Sequence, residues 1–325
     1  MEKEYLVYSV GALLYTPAIS EKIADDIIDN KIDSPFSISL CLEDSISEDA
    51  VEFAENQVVK NLEKIFSGKR EKKEFYCPKI FIRVRYPKQI FSIFDRIKEF
   101  KEIFTGFILP KYSLDNVDEY NHNMLEVNKI SDKIIYMMPI LESGDIADLN
   151  KRYDTLRKLK VKIDGISDIV LNIRVGGNDF CNIFGLRRHS YETIYEITPV
   201  KSILSDILTV FSREYVISAP VWEYFGNEKG NWSKGLENEI KYDKLNGFIG
   251  KTVIHPSQIS IVNDSLKIDE NDYNDALSII NWREGENLQV LKSANMDRMN
   301  EIRTHLKWAQ KIVKLAQIYG TLKNE

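Results

Sequence analysis

The chain has 325 residues, of which 43% are apolar and 29% are charged, a composition typical of a globular protein with a large core. The net charge of −6 and a pI near 5.5 argue against a nucleic-acid partner, because phosphate binding requires a basic surface. The length exceeds that of a small domain and suits one large domain with a short extension.

The three cysteines, Cys41, Cys77 and Cys181, are widely spaced and form no CxxC motif. This spacing favours a reducing compartment over a disulfide framework or a zinc knuckle. The chain begins with acidic as well as basic residues, unlike a signal peptide, and no apolar run reaches the roughly 20 residues that span a bilayer. The sequence therefore predicts a cytoplasmic protein without a membrane partner.

Short apolar runs alternate with amphipathic stretches over most of the chain, which is the pattern of successive βα units. The predicted strands are Ala12–Tyr15, Phe36–Leu42, Lys79–Arg85, Gly106–Leu109, Lys133–Ile140, Ile169–Arg174, Tyr215–Ala219 and Thr252–Ile254. Eight such units build a (β/α)8 TIM barrel, but an open doubly wound sheet uses the same alternation. The pattern alone leaves both architectures open.

The amphipathic stretches between the strands predict helices. Three of them, Glu21–Asn30, Ala50–Phe66 and Leu114–Lys129, follow serine residues that suit a helix start. Gly68 is the expected stop of the second of these helices, because glycine is common just beyond a helix end.

The strand rhythm ends near Asp269, and the helices Tyr273–Asn281 and Asn300–Tyr319 are predicted beyond it. We therefore divide the chain into a barrel domain, residues 1–265, and a C-terminal helical extension, residues 266–325. The last helix carries an apolar stripe formed by Ile302, Leu306, Ala309, Ile312, Val313 and Ala316. Either the same chain or a neighbouring subunit is expected to cover this stripe, and homo-oligomerisation is predicted from it.

Acidic side chains follow three of the predicted strands. Glu43 and Asp44 follow the second strand, Glu142 follows the fifth, and Asp179 follows the sixth. Acids at the carboxyl ends of barrel strands meet on one rim, where carboxylate oxygens suit Mg²⁺. We predict that Glu142 and Asp179 are the metal ligands, whereas capping of the following helix is the alternative for each acid.

Cationic and backbone groups near the same rim suit an anionic substrate. Arg83 and Arg85 alternate with apolar residues on the third strand and are expected to point the same way, and Arg83 can grip a carboxylate bidentately. Lys111 adds a cation or is a solvated side chain. Gly177 and Asn178 offer backbone amides to a carboxylate or phosphate, although their spacing is not that of a nucleotide loop.

Further strings stand in the same order along the chain: Leu13–Pro17, Gly106–Lys111, Gly247–Lys251 and Ile254–Ile259. Together with the acids and Arg83, they resemble the superfamily of citrate lyase β-subunits and malyl-CoA lyases, the HpcH/HpaI-type aldolases of TIM-barrel fold. The resemblance covers nearly the whole chain. Two later runs, Ser218–Phe225 and His305–Ala309, are similar to a bacterial citrate lyase-like branch of carbon–carbon bond lyases.

The resemblance implies a TIM barrel, with Mg²⁺ (or Mn²⁺) held by Glu142 and Asp179 and a keto-acid carboxylate held by Arg83. It implies that Glu43 and Asp44 organise the metal's water molecules and the arginine. Two positions depart from the family pattern. Cys41 replaces a common aspartate, so that the site lacks one charge. Arg85 replaces a usual asparagine, and this second cation either favours a more anionic substrate or requires a different neighbour to pair with it.

Malyl-CoA lyase-like members complete their site with an acid from the C-terminal extension of a neighbouring subunit. Glu301 and Asp297 are the two candidates for this acid here. Alternatively, either could be an acid in the first turn of the helix, a position that the helix dipole favours. The resemblance also implies a trimer or a multiple of one.

The resulting hypothesis is a Mg²⁺-dependent lyase or aldolase that cleaves a β-hydroxy acid or its thioester to a 2-oxo acid and an acyl or enolate product. The alternatives are a thioesterase on the same metal site and a non-catalytic barrel that acts as a scaffold. Family members that use CoA carry arginines just before the first strand, where this chain has Val10, Gly11 and Ala12. This departure argues against a CoA thioester and favours a free acid or another carrier.

Overall fold

The computed structural model describes residues 2–71, 74–226, 231–282, 290–293 and 298–322. A parallel sheet of eight strands lies at its centre. The strands are β1 (Ala12–Pro17), β2 (Ser37–Cys41), β3 (Lys79–Arg83), β4 (Phe104–Leu109), β5 (Tyr136–Leu141), β6 (Ile173–Val175), β7 (Ile217–Ser218) and β8 (Lys251–Val253). Neighbours pair in chain order from β1 to β7, and β8 pairs with β1.

Backbone contacts between the last two strands close the ring. The Ala219 amide donates to the Gly250 carbonyl at 3.0 Å, and the Ile249 amide donates to the Ile217 carbonyl at 2.9 Å. A parallel bridge also joins Ala219 and Lys251. The architecture is therefore the predicted (β/α)8 TIM barrel, and an open doubly wound sheet is excluded.

Helices surround the sheet and continue beyond it. They are α1 (Lys3–Leu6), α2 (Ile23–Ile28), α3 (Val51–Arg70), α4 (Gln89–Ile97), α5 (Val117–Ile130), α6 (Gly144–Ala147), α7 (Leu149–Asp164), α8 (Gly177–Ile183), α9 (Thr198–Phe211), α10 (Trp232–Asn246), α11 (Ile259–Leu266), α12 (Glu270–Ile280) and α13 (Ile302–Tyr319). Short 3-10 helices cover Glu48–Ala50, Lys98–Phe100, Ser167–Ile169, Ile194–Glu196 and Pro256–Gln258. No helix in the described part of the chain has both the length and the apolar character of a membrane span.

Apolar side chains fill both faces of the sheet. The cluster inside the barrel consists of Val10, Leu13, Phe81, Ile108, Met138, Ile140 and Leu171. The larger cluster lies between the strands and the helices and includes Leu14, Ile38, Ile82 and Phe107. Burial on both faces explains why the strands are nearly continuous apolar runs in the sequence.

Each predicted strand overlaps an observed one, but several predicted boundaries are wrong. Ile169 belongs to a 3-10 helix, and β3 ends at Arg83, two residues before the predicted end. Gly68 does not end α3, which continues to Arg70. This glycine is buried, and a Cβ there would lie 3.2 Å from Cδ1 of Ile28, so its small size serves the packing of α3 on α2.

The C-terminal extension packs on its own chain. Its short strands are β9 (Ile268–Asp269), β10 (Val290–Lys292), β11 (Met299–Glu301) and β12 (Thr321–Leu322). Helix α13 lies along α12 and also contacts α11. Ala309 and Ile312 of the apolar stripe are buried, whereas Leu306 is 39% exposed. The same chain thus covers much of the stripe.

Gly106 in β4 is expected to tolerate no larger side chain. A Cβ at this position would lie 2.0 Å from the carbonyl oxygen of Tyr136, and backbone cannot move aside as a side chain can. We expect Gly106→Ala to lower the free energy of unfolding by about 1–3 kcal/mol or more, as overpacking does. Urea denaturation measures this loss.

Gly144 offers the matched control for that substitution. A Cβ at Gly144, the first residue of α6, would meet no atom within 4 Å. Gly144→Ala should therefore leave the unfolding free energy unchanged or raise it by up to about 1 kcal/mol. Equal stability of the two variants would show that β4 and β5 are not packed as described.

Candidate active site

The carboxyl ends of the strands direct polar side chains into the barrel mouth. Met138 and Ile140 of β5 point into the barrel, so the twofold alternation of a strand directs Glu142 inward as well. In β3, Phe81 points inward, and Arg83 follows it with the same orientation. The acid and the arginine are both less than 10% exposed. Alternation along two strands therefore brings opposite charges together inside the mouth.

A cavity of about 220 Å³ opens at this end of the barrel. Its lining comes from seven βα units and consists of Tyr15, Asp44, Arg83, Ile140, Glu142, Arg174, Val175, Gly176, Gly177, Asn178, Asp179, Val221, Thr252 and Ile254. Its volume is below the range of about 300–1,000 Å³ that holds drug-sized ligands. The cavity therefore suits a small polar molecule.

Glu142 and Asp179 approach each other across Gly176. A Cβ at Gly176 would lie 2.1 Å from Oε2 of Glu142 and 3.0 Å from Oδ2 of Asp179. Because Gly176 has no side chain, both carboxylates can occupy the space beside it. Glu142 lies at the end of β5, and Asp179 lies in the first turn of α8, so two adjacent βα units supply the pair.

The environment of Glu142 suits a cation. The pKa of the Glu142 carboxyl is raised to about 8, mainly by burial and in part by the Asp179 carboxylate, against the opposing effect of the Arg83 guanidinium. Its Oε1 accepts a hydrogen bond from the backbone amide of Lys111 at 2.7 Å, so it is not occupied in capping the helix that follows. A buried carboxylate with so little compensation is stabilised when a positive ion binds beside it.

The two carboxylates fit Mg²⁺ better than a metal that needs several protein ligands. Among the described residues there is no group of three or more His, Cys, Asp or Glu side chains arranged to hold a metal ion. Mg²⁺ is usually bound through one or two carboxylates and keeps water or substrate oxygens as its other ligands. The donor set formed by Glu142 and Asp179 is of that kind.

Arg83 is held in place by acids of the β2 loop. Its Nη2 lies 2.7 Å from Oε2 of Glu43 and 3.0 Å from Oδ2 of Asp44, and 3.8 Å from Oε1 of Glu142. The buried Nε of Arg83 has no hydrogen-bond partner in the described part of the chain. The guanidinium is therefore fixed on one side and keeps a free donor on the other.

Lys111 joins the two sets of acids. Its Nζ lies 2.7 Å from Oε1 of Glu43 and 3.3 Å from Oδ1 of Asp44, while its backbone amide binds Glu142. The ion pair with Glu43 raises the pKa of Lys111 to about 12. Lys111 has a φ of 50°, a left-handed conformation that is uncommon outside glycine. In this backbone conformation, the amide of Lys111 donates to Glu142 while its Nζ pairs with Glu43 and Asp44.

Arg85 does not accompany Arg83 into the cavity. Because β3 ends at Arg83, the alternation that predicted a shared orientation no longer applies at Arg85. Its Nη1 donates to the carbonyl of Ile46 at 2.9 Å, and its Nη2 lies 3.5 Å from Oε1 of Glu48. Arg85 thus binds the loop after β2 and does not line the cavity.

The glycine segment after β6, with Gly177 and Asn178, lines the cavity. A Cβ at Gly177 would lie 2.5 Å from Cδ1 of Ile194 and 2.7 Å from Cβ of Pro220, so only glycine fits there. The buried Oδ1 of Asn178 has no partner among the described residues. Whether these residues bind substrate stays a prediction.

One of the two candidate acids of the C-terminal extension lies within the described residues, and it is Glu301. Glu301 ends β11, and its Oε2 accepts a hydrogen bond from Oγ1 of Thr304 at 2.8 Å. Glu301 is not a lining residue of the cavity. Asp297 lies outside the described residues.

Sequence reasoning missed Arg174. It lies on β6 beside the cavity and is 2% exposed, and its Nη2 donates to Oγ1 of Thr252 at 2.6 Å. The residue stands within an apolar run and belongs to none of the quoted motifs. Alternation along the strand could have identified it. Arg174 and Gly176 are two residues apart, so they face the same side of the strand, and Gly176 lies next to the predicted metal ligand Asp179.

A family model described as carbon–carbon bond lyase of the TIM-barrel fold matches residues 4–321. No curated protein matches the sequence. Among solved structures, the chain is similar to the protein CitE of Mycobacterium tuberculosis in complex with magnesium, acetoacetate and coenzyme A. That likeness has 15% identity and a TM-score of 0.58, and it covers 96% of this chain and 99% of the other.

The chain is also similar to RipC of Yersinia pestis. This likeness has 16% identity and a TM-score of 0.53, and it covers 80% of this chain and 95% of the other. At such low identity both structures indicate the fold alone. The family match covers nearly the whole chain, as the predicted resemblance does.

Proposed function

The chain belongs to the family of carbon–carbon bond lyases of TIM-barrel fold, and from this premise we propose that it is a Mg²⁺-dependent lyase or aldolase of citrate lyase β-subunit type. Its substrate would be a β-hydroxy acid or its thioester, which is cleaved to a 2-oxo acid and an acyl or enolate product. The observation that carries the proposal is the cavity in which Glu142 and Asp179 face each other beside the anchored Arg83.

Glu142 and Asp179 would hold the metal, with Mn²⁺ as the alternative to Mg²⁺. When bound there, the ion would polarise a substrate carboxylate and carbonyl and stabilise negative charge on oxygen. The raised pKa of Glu142 supports this assignment, because its buried carboxylate is incompletely compensated by the protein alone.

Arg83 would orient the substrate carboxylate. Glu43 and Asp44 fix one Nη of the guanidinium, and the buried Nε remains available as a donor. A guanidinium keeps its charge at any physiological pH, so the clamp does not depend on protonation. Lys111 would support the clamp by holding Glu43 and Asp44, rather than by binding substrate through Nζ.

Cleavage requires a base that accepts the proton of the substrate hydroxyl. We propose that Glu301 or Asp297 of a neighbouring subunit supplies this base in a homo-oligomer, a trimer or a multiple of one. The position of Glu301 outside the cavity of its own chain supports a contribution from another subunit. A monomer by light scattering at micromolar concentration would contradict this part of the proposal.

The small cavity favours a free acid or a short acyl group over a bulky CoA thioester. A cytoplasmic location is supported by the cysteines, since Cys41, Cys77 and Cys181 are all free thiols.

Product analysis tests the proposed reaction. The purified protein is incubated with a panel of β-hydroxy acids and their CoA thioesters, and 2-oxo acids and free thiols are both quantified. A lyase releases a 2-oxo acid, and EDTA should abolish that release until Mg²⁺ is restored. Release of free thiol without any 2-oxo acid would instead identify a thioesterase and overturn the proposal.

A further inference from the structure

Arg174 is a buried cation without an acidic partner. Although it is only 2% exposed, it forms no ion pair with any acid in the described part of the chain, and the titratable groups that act on it are Tyr15 and Arg83. Its Nη2 donates to Oγ1 of Thr252 and the guanidinium also interacts with the Tyr15 hydroxyl, while Nε and Nη1 have no hydrogen-bond partner of good geometry among the described residues. Buried charges in proteins are normally paired, because an unpaired one costs several kcal/mol.

The free donors of Arg174 belong to the cavity. Arg174 lines it together with Tyr15 and Thr252, on the wall formed by β6, β8 and β1. Arg83 lies on β3 and also has a free buried donor, its Nε. The cavity thus contains two guanidinium groups with unused donors, and only Arg83 is anchored by acids.

The overall charge of the site also favours a ligand with more than one negative charge. Its four acids are Glu43, Asp44, Glu142 and Asp179, and its three cations are Arg83, Lys111 and Arg174. A bound divalent ion would reverse the balance and leave one net positive charge. A site of this kind attracts a ligand that carries more than one negative charge.

We propose that Arg174 binds a second anionic group of the substrate, so that the cavity selects a small molecule with two anionic groups over one with a single carboxylate. This inference rests on the proposed function, in which Arg83 and the metal ligands take the first carboxylate. The sequence suggested a second cation at Arg85, but that residue binds the loop after β2, and Arg174 fills this role instead. The second group is a carboxylate or a phosphate-type anion, which share the same donors.

Three 2-oxo acids that differ only at C3 test the proposal and show whether the second anionic group is a carboxylate or a phosphate-type anion. Pyruvate has no second anion, oxaloacetate adds a carboxylate, and phosphonopyruvate adds a phosphonate. Their dissociation constants are measured by calorimetry with the full-length protein in Mg²⁺. We expect at least one of the dianions to bind about 10- to 100-fold more tightly than pyruvate, as charged hydrogen bonds allow.

Arg174→Gln should remove this preference while pyruvate still binds within about threefold of its original affinity, because glutamine is neutral but can still donate to Thr252. Arg96→Gln is the control, since Arg96 lies on the outer helix α4 and pairs with Glu55 and Asn56 there. The control should keep the full preference.

Two results would overturn the inference. One is a wild-type protein that binds pyruvate and the dianions equally, a result that needs no variant to fold. The other is an Arg174→Gln protein that keeps the preference for a dianion. If none of the three acids binds in the presence of Mg²⁺, the proposed function fails and this inference fails with it, whereas equal binding overturns the inference alone.

Discussion

Asp179→Asn is expected to weaken Mg²⁺ binding more than 100-fold and to abolish Mg²⁺-dependent binding of a 2-oxo acid. The substitution keeps the size of the side chain but removes one of the two carboxylates that face each other across Gly176. Changes to groups that merely support metal ligands cost about 10- to 100-fold in metal affinity, so loss of a charged ligand should cost more. Isothermal titration calorimetry measures both affinities.

Asp145→Asn is the matched control for this experiment. Asp145 also lies in the first turn of a helix after a barrel strand, but it pairs with Lys151 at 2.8 Å and does not line the cavity. The control should bind Mg²⁺ as the wild type does. Unchanged Mg²⁺ affinity in Asp179→Asn would remove Asp179 from the metal site and leave it the role of a helix-turn acid.

Lys251→Met is expected to lower the free energy of unfolding by about 3–5 kcal/mol, the cost of breaking a buried ion pair. Lys251 on β8 is 1% exposed, and its Nζ lies 2.8 Å from both Oε1 of Glu239 and Oδ2 of Asp243. Glu239 keeps Arg188 as a partner at 3.2 Å, but Asp243 would remain buried without a cation. Urea denaturation at pH 8 measures the effect.

An exposed ion pair provides the comparison. Lys31 lies 2.6 Å from Asp26, but the side chains are 54% and 42% exposed. Lys31→Met should therefore cost far less stability than Lys251→Met, because exposed ion pairs contribute little. A cost for Lys251→Met as small as that of Lys31→Met would show that the network around Glu239 is not buried as described.

The cost of Lys251→Met should also depend on pH. Burial raises the pKa of Asp243 to about 6, although Lys251 opposes the shift. A carboxyl whose pKa is raised by folding favours the folded state at low pH, and this contribution is lost as pH rises toward the folded-state pKa. Without Lys251 the neutral form is favoured further, so the variant should be less destabilised at pH 5 than at pH 8.

The sequence could predict the barrel because each strand must bury both faces. That requirement makes apolar runs such as Phe36–Leu42 visible at regular spacing, and each overlaps an observed strand. Alternation also placed Arg83 on the inner side of β3, in step with Phe81. Patterns of this kind are local, and they hold as long as the strand continues.

The remaining features depend on contacts between distant parts of the chain. Arg85 leaves the strand pattern because β3 ends early and the β2 loop offers carbonyls to its side chain. Lys111 reaches Glu43 and Glu142 through a left-handed backbone conformation that no local pattern specifies. Arg174 was hidden because an arginine within an apolar run gives no sign of the cavity that it lines.

The most direct test of the central claim is calorimetric titration of the wild-type protein with pyruvate, with and without Mg²⁺. If Glu142 and Asp179 hold the metal beside Arg83, pyruvate should bind at least about 10-fold more tightly when Mg²⁺ is present, and Mg²⁺ should gain affinity by the same factor from pyruvate. Independent binding of the two ligands, or no binding of pyruvate at millimolar concentration, would contradict the account.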